Sequence, residues 1–107
     1  MKNIKDILKY RIEEMNRKKE VVTKQMENNL DYIEERNNQK VERIQTRLKA
    51  RGANDEEINN IIQEYAEEKE KMKEEVRTMM RERLDELNKI KKDLIKQFDE
   101  LSDEKNQ

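Results

Sequence analysis

Ala50-Arg51-Gly52-Ala53-Asn54-Asp55-Glu56-Glu57-Ile58 lies almost at the centre of this 107-residue chain and holds its only glycine; there is no proline anywhere. Glycine reaches the left-handed backbone region at little steric cost, which is how many helices end. Two residues later Asn54 is placed to serve as an N-cap. Glu57 follows three residues on, in the spacing of a capping box, just before Ile58 opens an apolar pattern. Asp55, Glu56 and Glu57 complement the positive end of a helix dipole. A helix stop and a helix start thus stand side by side, with a long uninterrupted segment on either hand. The stretch predicts a turn at about 52–54 joining helix 1, about 3–51, to helix 2, about 55–102, with a frayed tail over 103–107.

Working outward on the N-terminal side, apolar residues recur in a set repeated every eleven positions. The set reads Ile4, Leu8, Arg11; Met15, Lys19, Val22; Met26, Leu30, Ile33; Asn37, Val41, Ile44; and Leu48, ten of the thirteen being apolar. Eleven residues over three turns is close to the relaxed helix, so such a seam runs nearly straight or faintly right-handed. On the C-terminal side the seam takes alternating steps of four and three through Ile58, Ile62, Tyr65, Lys69, Met72 and Val76. It does so again from Met80 through Leu84, Leu87, Lys91, Leu94 and Phe98 to Leu101. Two consecutive steps of four between Val76 and Leu84 form a stutter. Acidic residues four positions before basic ones, such as Glu13–Arg17, Glu14–Lys18, Glu20–Lys24, Glu67–Lys71 and Asp85–Lys89, support both helices.

Folding about the turn pairs positions whose numbers sum to about 106. Leu48 then meets Ile58, Leu30 meets Val76, Val22 meets Leu84 and Leu8 meets Phe98. The fold class is therefore all-α: one long antiparallel two-helix hairpin with hendecad and heptad seams, each arm roughly 70 Å at 1.5 Å per residue. Charge supports folding back. Residues 1–51 carry 14 basic and 9 acidic side chains, net +5, and residues 52–107 carry 11 and 17, net −6. Asn37 faces Lys69 in this register, a polar layer of the kind that fixes alignment in coiled coils. Lys19 and Lys91 are expected to lay their stems on the seam and keep the ammonium in water.

Charged residues make up 48% of the chain and apolar ones 32%, too little for a rounded core but suited to a coiled coil. Two-helix proteins generally need further burial, and the pattern supplies a surface for it. Ile61, Met79 and Ile90 flank the second seam with Met72 at its edge, while Tyr10, Val21 and Tyr32 recur every eleven residues on helix 1. These seven are the expected partner interface, and two hairpins forming a four-helix bundle is the expected assembly. The turn-containing half, residues 25–83, is net −3 and the remainder +2, so two hairpins are expected to lie turn against termini.

With no histidine and no cysteine, the usual general base, thiol nucleophile and transition-metal ligands are missing, and disulfides are excluded. One glycine cannot build a phosphate-cradling loop. No enzyme activity, no catalytic residue, no cofactor and no metal site is expected. No apolar run approaches the roughly 18 residues that span a bilayer, and Met1–Tyr10 lacks the apolar stretch of a signal peptide, so the cytoplasm is the expected location.

The leading reading is a non-enzymatic coiled-coil interaction module: a scaffold, adaptor or helical chaperone acting as a homodimer or on a helical protein. A second reading is a nucleic-acid-associated protein using the basic N-terminal end, where Arg17-Lys18-Lys19 and its neighbours leave residues 1–24 at net +4. The antiparallel pairing and the apolar repeat starting at Ile4 differ from a basic-region zipper. In size, hairpin pattern and mid-chain glycine the chain is also similar to the small helical proteins of type VII secretion. The Trp-x-Gly of that family falls on Ala50-Arg51-Gly52, and its late Tyr-x-x-x-Asp/Glu on Phe98 to Ser102, so neither motif is matched and the likeness is architectural. It implies a third role, as helper or targeting partner of an exported protein.

Overall fold

The computed structural model describes residues 3–105, with side chains through Ser102. It is a helical hairpin of two elements, α1 (Ile4–Ala50) and α2 (Asp55–Lys105). Both are rich in Glu, Lys and Arg, which lose little side-chain freedom in a helix. Asn3, which sequence reading did not single out, caps α1: its Oδ1 accepts the Asp6 amide at 2.8 Å. The tail expected to fray over 103–107 is helical through Lys105, and residues 106–107 lie outside the described residues.

The turn closes as a Schellman motif. Ala53 N–H donates to the Leu48 carbonyl at 3.0 Å and Gly52 N–H to the Lys49 carbonyl at 3.1 Å, satisfying carbonyls that the helix end leaves unpaired. Gly52 sits at φ +84°, the only positive φ among the described residues. Asn54 then caps α2, its Oδ1 accepting the Glu57 amide at 2.8 Å.

By its contacts the chain divides into two compact units. A terminal unit comprises Met1–Gln25 with Met79–Gln107, and a turn unit comprises Met26–Thr78. In the terminal unit Leu8, Met15 and Val22 of α1 and Leu87 and Leu94 of α2 form the buried core. Ile12, Met80, Leu84, Phe98 and Leu101 pack against it half-buried. Lys19 and Lys91 are half-buried at core positions, and among the described residues no buried side-chain nitrogen or oxygen lacks a partner. In the turn unit only Ile58, 3% exposed, is fully buried among the described residues.

The two units use different repeats. Leu8, Met15 and Val22 are seven apart, as are Met80, Leu87, Leu94 and Leu101, so the terminal unit is a heptad pair with the left-handed tendency that heptads impose. In the turn unit the partly or fully buried positions include 26, 30, 33, 37, 41, 44 and 48 on α1 and 58, 62, 65, 69, 73 and 76 on α2, with 34, 45, 61, 66 and 77 half-buried beside them. Both follow the four-three-four steps of an eleven-residue repeat. Three seam assignments are thereby corrected. Carrying eleven-residue spacing into the N-terminal third put Ile4 and Arg11 inward, but both are exposed. The heptad phase turns Lys5 and Ile12 inward instead, with the Lys5 ammonium 5.0 Å from the Phe98 ring centre. On α2, heptad steps put Met72 at the seam, but the eleven-residue phase turns Lys73 inward and leaves Met72 at the rim.

The five i,i+4 pairs expected on the helices are absent from the ion pairs among the described residues, which are instead Glu34 with Lys69 and Lys73, Glu74–Arg77 and Arg83–Glu86. Exposed long side chains gain little by holding one geometry in water.

A Cβ added at Gly52 would meet nothing within 4 Å, so substitution there is opposed by backbone conformation alone. Gly52→Ala should lower the unfolding free energy by about 1 kcal/mol and Gly52→Asn by less, measured by urea unfolding; equal stability of all three proteins would contradict this account. Leu87, 2% exposed, should cost about 2–4 kcal/mol when changed to Ala. Ile90→Ala should cost well under half of that, and similar losses from the two would overturn the heptad core.

Candidate functional site

One flank of the turn unit carries a groove between the arms. Tyr32, Ile33, Arg36, Asn37 and Lys40 of α1 line it from one side, and Tyr65, Glu68, Lys69 and Met72 of α2 from the other, enclosing about 90 Å³. Helical spacing puts them there: Tyr32, Arg36 and Lys40 are four apart on one edge of α1, and Tyr65, Glu68 and Met72 follow steps of three and four on α2. Tyr32 is 60% exposed and Met72 47%. Arg36 crosses the Tyr32 ring with its guanidinium 5.9 Å from the ring centre and donates a hydrogen bond to the phenol oxygen at 3.0 Å. The tyrosine is thereby held along the α1 lip.

The floor of the groove is the polar layer expected in the sequence. Asn37 and Lys69 both line it, but the Lys69 charge goes elsewhere. Its ammonium donates to Glu34 Oε1 at 3.2 Å, and Lys73 donates to Glu34 Oε2. A carboxylate is a stronger partner for an ammonium than a neutral amide. The two lysine side chains are 18% and 16% exposed and that of Glu34 40%, so the cluster joins the arms at the edge of water. Hydrogen bonds from Lys73 and then Lys69 hold the Glu34 carboxyl below its ordinary value of 4.5.

Glu34 was missed in the sequence, though a signal existed. In the proposed register it is level with position 72, between Lys69 and Lys73. Of the expected interface residues, Tyr32 and Met72 come together in the groove. Ile61 is half-buried on the same edge of α2, one helical step from Tyr65. Tyr10, Val21, Met79 and Ile90 belong to the terminal unit as exposed side chains, with the Arg17 guanidinium 5.5 Å from the Tyr10 ring centre. Ile4, Ile7 and Ile95 are further exposed apolar residues of that unit.

Among the described residues no cluster of acidic side chains is arranged to hold a metal ion, and no helix is long and apolar enough to cross a membrane. No known protein family, curated protein or solved structure matches the chain.

Because its folded pKa is lowered, Glu34 contributes stability that is fully present above its unfolded pKa. That contribution is lost as pH falls through the lower folded value. The stability difference between the wild type and Glu34→Gln, measured by urea unfolding from pH 7 to pH 3, should be constant above about pH 5.5 and shrink below pH 4.5. A difference that is zero at pH 7, or unchanged down to pH 3, would mean that the cluster does not join the arms in solution.

Proposed function

We propose that this chain is a non-enzymatic coiled-coil interaction module, a helical hairpin working in the cytoplasm as scaffold, adaptor or helical chaperone by completing a helix bundle with a partner. The observation that carries the reading is the unfinished burial of the turn unit. That unit fully buries only Ile58 among its described residues, yet it holds Tyr32 and Met72 half out of the surface beside an open groove. Helix pairs of this kind are marginal alone and gain stability when a further helix covers the rim of the seam. Apolar side chains gathered around a concavity with a charged rim have the anatomy of a binding surface, unlike single apolar residues scattered over a helix.

Site-specific photo-cross-linking in the cells that make the protein tests this. A photoreactive amino acid at Tyr32 or Met72 should give protein adducts, and one at Glu35, on the exposed back of α1, should give few. No adducts at any position, or equal yields at all three, would overturn the reading.

A further inference from the structure

The groove is bordered by two lips of opposite charge. Along α1 the exposed residues on the groove side are Arg36, Lys40, Arg43 and Arg47, in steps of four, three and four, with no acidic residue among them. Along α2 the matching edge carries Glu57, Glu64, Glu68 and Glu75, all exposed, with Lys71 as its one basic residue. None of these eight charges stands in an ion pair among the described residues. One face of the turn unit is thus a trough with a polar floor and Tyr32 and Met72 at its rim, set between a basic bank and a predominantly acidic one.

We infer that this face is a self-association surface, on which a second copy of the chain docks about a two-fold axis parallel to the helices. The inference rests on the interaction-module reading and names its partner. A symmetric face-to-face dimer presents the same patch from both copies, so the patch must complement itself under the rotation. An axis along the helices lays α1 of one copy over α2 of the other, basic bank on acidic bank, twice. The other in-plane axis, across the helices, lays α1 on α1 and puts Arg36, Lys40, Arg43 and Arg47 against their own copies. Like charges brought together in that way repel strongly as water is excluded, and only the first arrangement avoids it.

The levels along the helix agree for three of the four glutamates, Glu75 falling beyond the end of the basic bank. Glu34 is held between Lys69 and Lys73, so residues of the two arms whose numbers sum to about 105–106 stand level. Under the axial two-fold, Glu68 of one copy comes over the interval between Arg36 and Lys40 of the other. Glu64 comes beside Arg43, and Glu57 close to Arg47. Met72 comes over the interval between Tyr32 and Arg36, where its thioether covers the exposed tyrosine ring, a favourable sulfur–aromatic contact. The same operation places Tyr32 against Met72 of the other copy. The residues left half out of water by the hairpin therefore cover each other.

Both turns then lie at the same end of the dimer. This reverses the orientation expected from net charge summed over each half of the sequence. The sum counts charges on every side of the helices, whereas the groove face itself is sorted mainly by arm.

The test uses charge exchange in the full chain. Sedimentation equilibrium should find the wild type dimeric. Lys40→Glu with Arg43→Glu, and separately Glu64→Lys with Glu68→Lys, should each weaken self-association by at least about 100-fold while circular dichroism shows the helices intact. Mixing the two variants should restore a dimer, because each then offers the bank that the other lacks. The chain has no cysteine, so Arg51→Cys carries a single spin label at the turn. With neighbouring helices about 8–10 Å apart, the two labels of the dimer should lie within about 30 Å.

A wild type that is monomeric at every concentration overturns the inference, as do reversed variants that still dimerise, a mixture that stays monomeric, or labels without a short distance. A monomeric wild type that still forms cross-links from Tyr32 and Met72 to another protein would remove this inference and leave the interaction-module reading standing. Loss of the cross-links would remove that reading as well.

Discussion

Ala53 gives its amide to the Leu48 carbonyl, and the very next residue, Asn54, takes the Glu57 amide to start α2. The Leu48 and Lys49 carbonyls that end one helix and the Glu57 amide that begins the other are satisfied within ten consecutive residues, leaving the chain little slack between arms. In the turn unit this tightness sets which residue of α1 stands level with which residue of α2. A looser connection would let the arms slide by a helical turn, because half-buried seams of Met, Leu, Ile and Val tolerate such shifts. The single positive φ, at Gly52, is the local condition for the whole arrangement.

Once the arms are level, the seam spacing decides how each unit is held. Heptad phase in the terminal unit stacks Leu8, Met15 and Val22 against Leu87 and Leu94, a narrow stripe that closes fully. Eleven-residue phase in the turn unit spreads inward positions over a wider arc. It draws Asn37, Lys69 and Lys73 partly inward and leaves Tyr32 and Met72 at the rim. The terminal unit is held by apolar burial. The turn unit relies on half-buried contacts, one buried isoleucine and a charged cluster, so the proposed interaction surface lies where internal packing is least complete.

The hairpin was legible because it depends on strong local signals: one glycine, one cap, and apolar residues at helical spacing with no proline to interrupt them. The fine phase of the seams was less legible. Arg11 next to Ile12, and Met72 next to Lys73, offer either template a plausible inward residue, and a change of one position alters the rotation about the helix by about 100°. Packing over several turns decides between them, and on α2 it chose the lysine over the methionine because Glu34 waits across the seam. Residue type alone favours the opposite choice. Tyr32, Met72, Asn37 and Lys69 were all singled out in the sequence, but for separate reasons. Their meeting around one groove depends on side-chain direction across two helices, which one-dimensional spacing expresses only after the register is known.

The charge asymmetry between the arms has a different place from the one that its net values imply. A basic first segment and an acidic second segment are expected to attract across the hairpin. The cross-arm cluster that forms has the reverse sense, with the carboxylate on the basic arm and both ammonium groups on the acidic arm. The charges responsible for the asymmetry in the turn unit lie on the outer lips instead, exposed and outside ion pairs. Attraction between exposed groups in water is weak, so these charges add little to closing the hairpin. Their sorting by arm makes a large difference to what can lie on top of it, since desolvation strengthens both attraction and repulsion. Within one hairpin, mixing the signs along each edge would serve as well and would allow i,i+4 support on both helices. Keeping Arg36, Lys40, Arg43 and Arg47 free of acids, and leaving Lys71 as the one base beside Glu57, Glu64, Glu68 and Glu75, limits that local support along the groove. It leaves a pattern that the proposed second copy, sorted in the complementary order, would match.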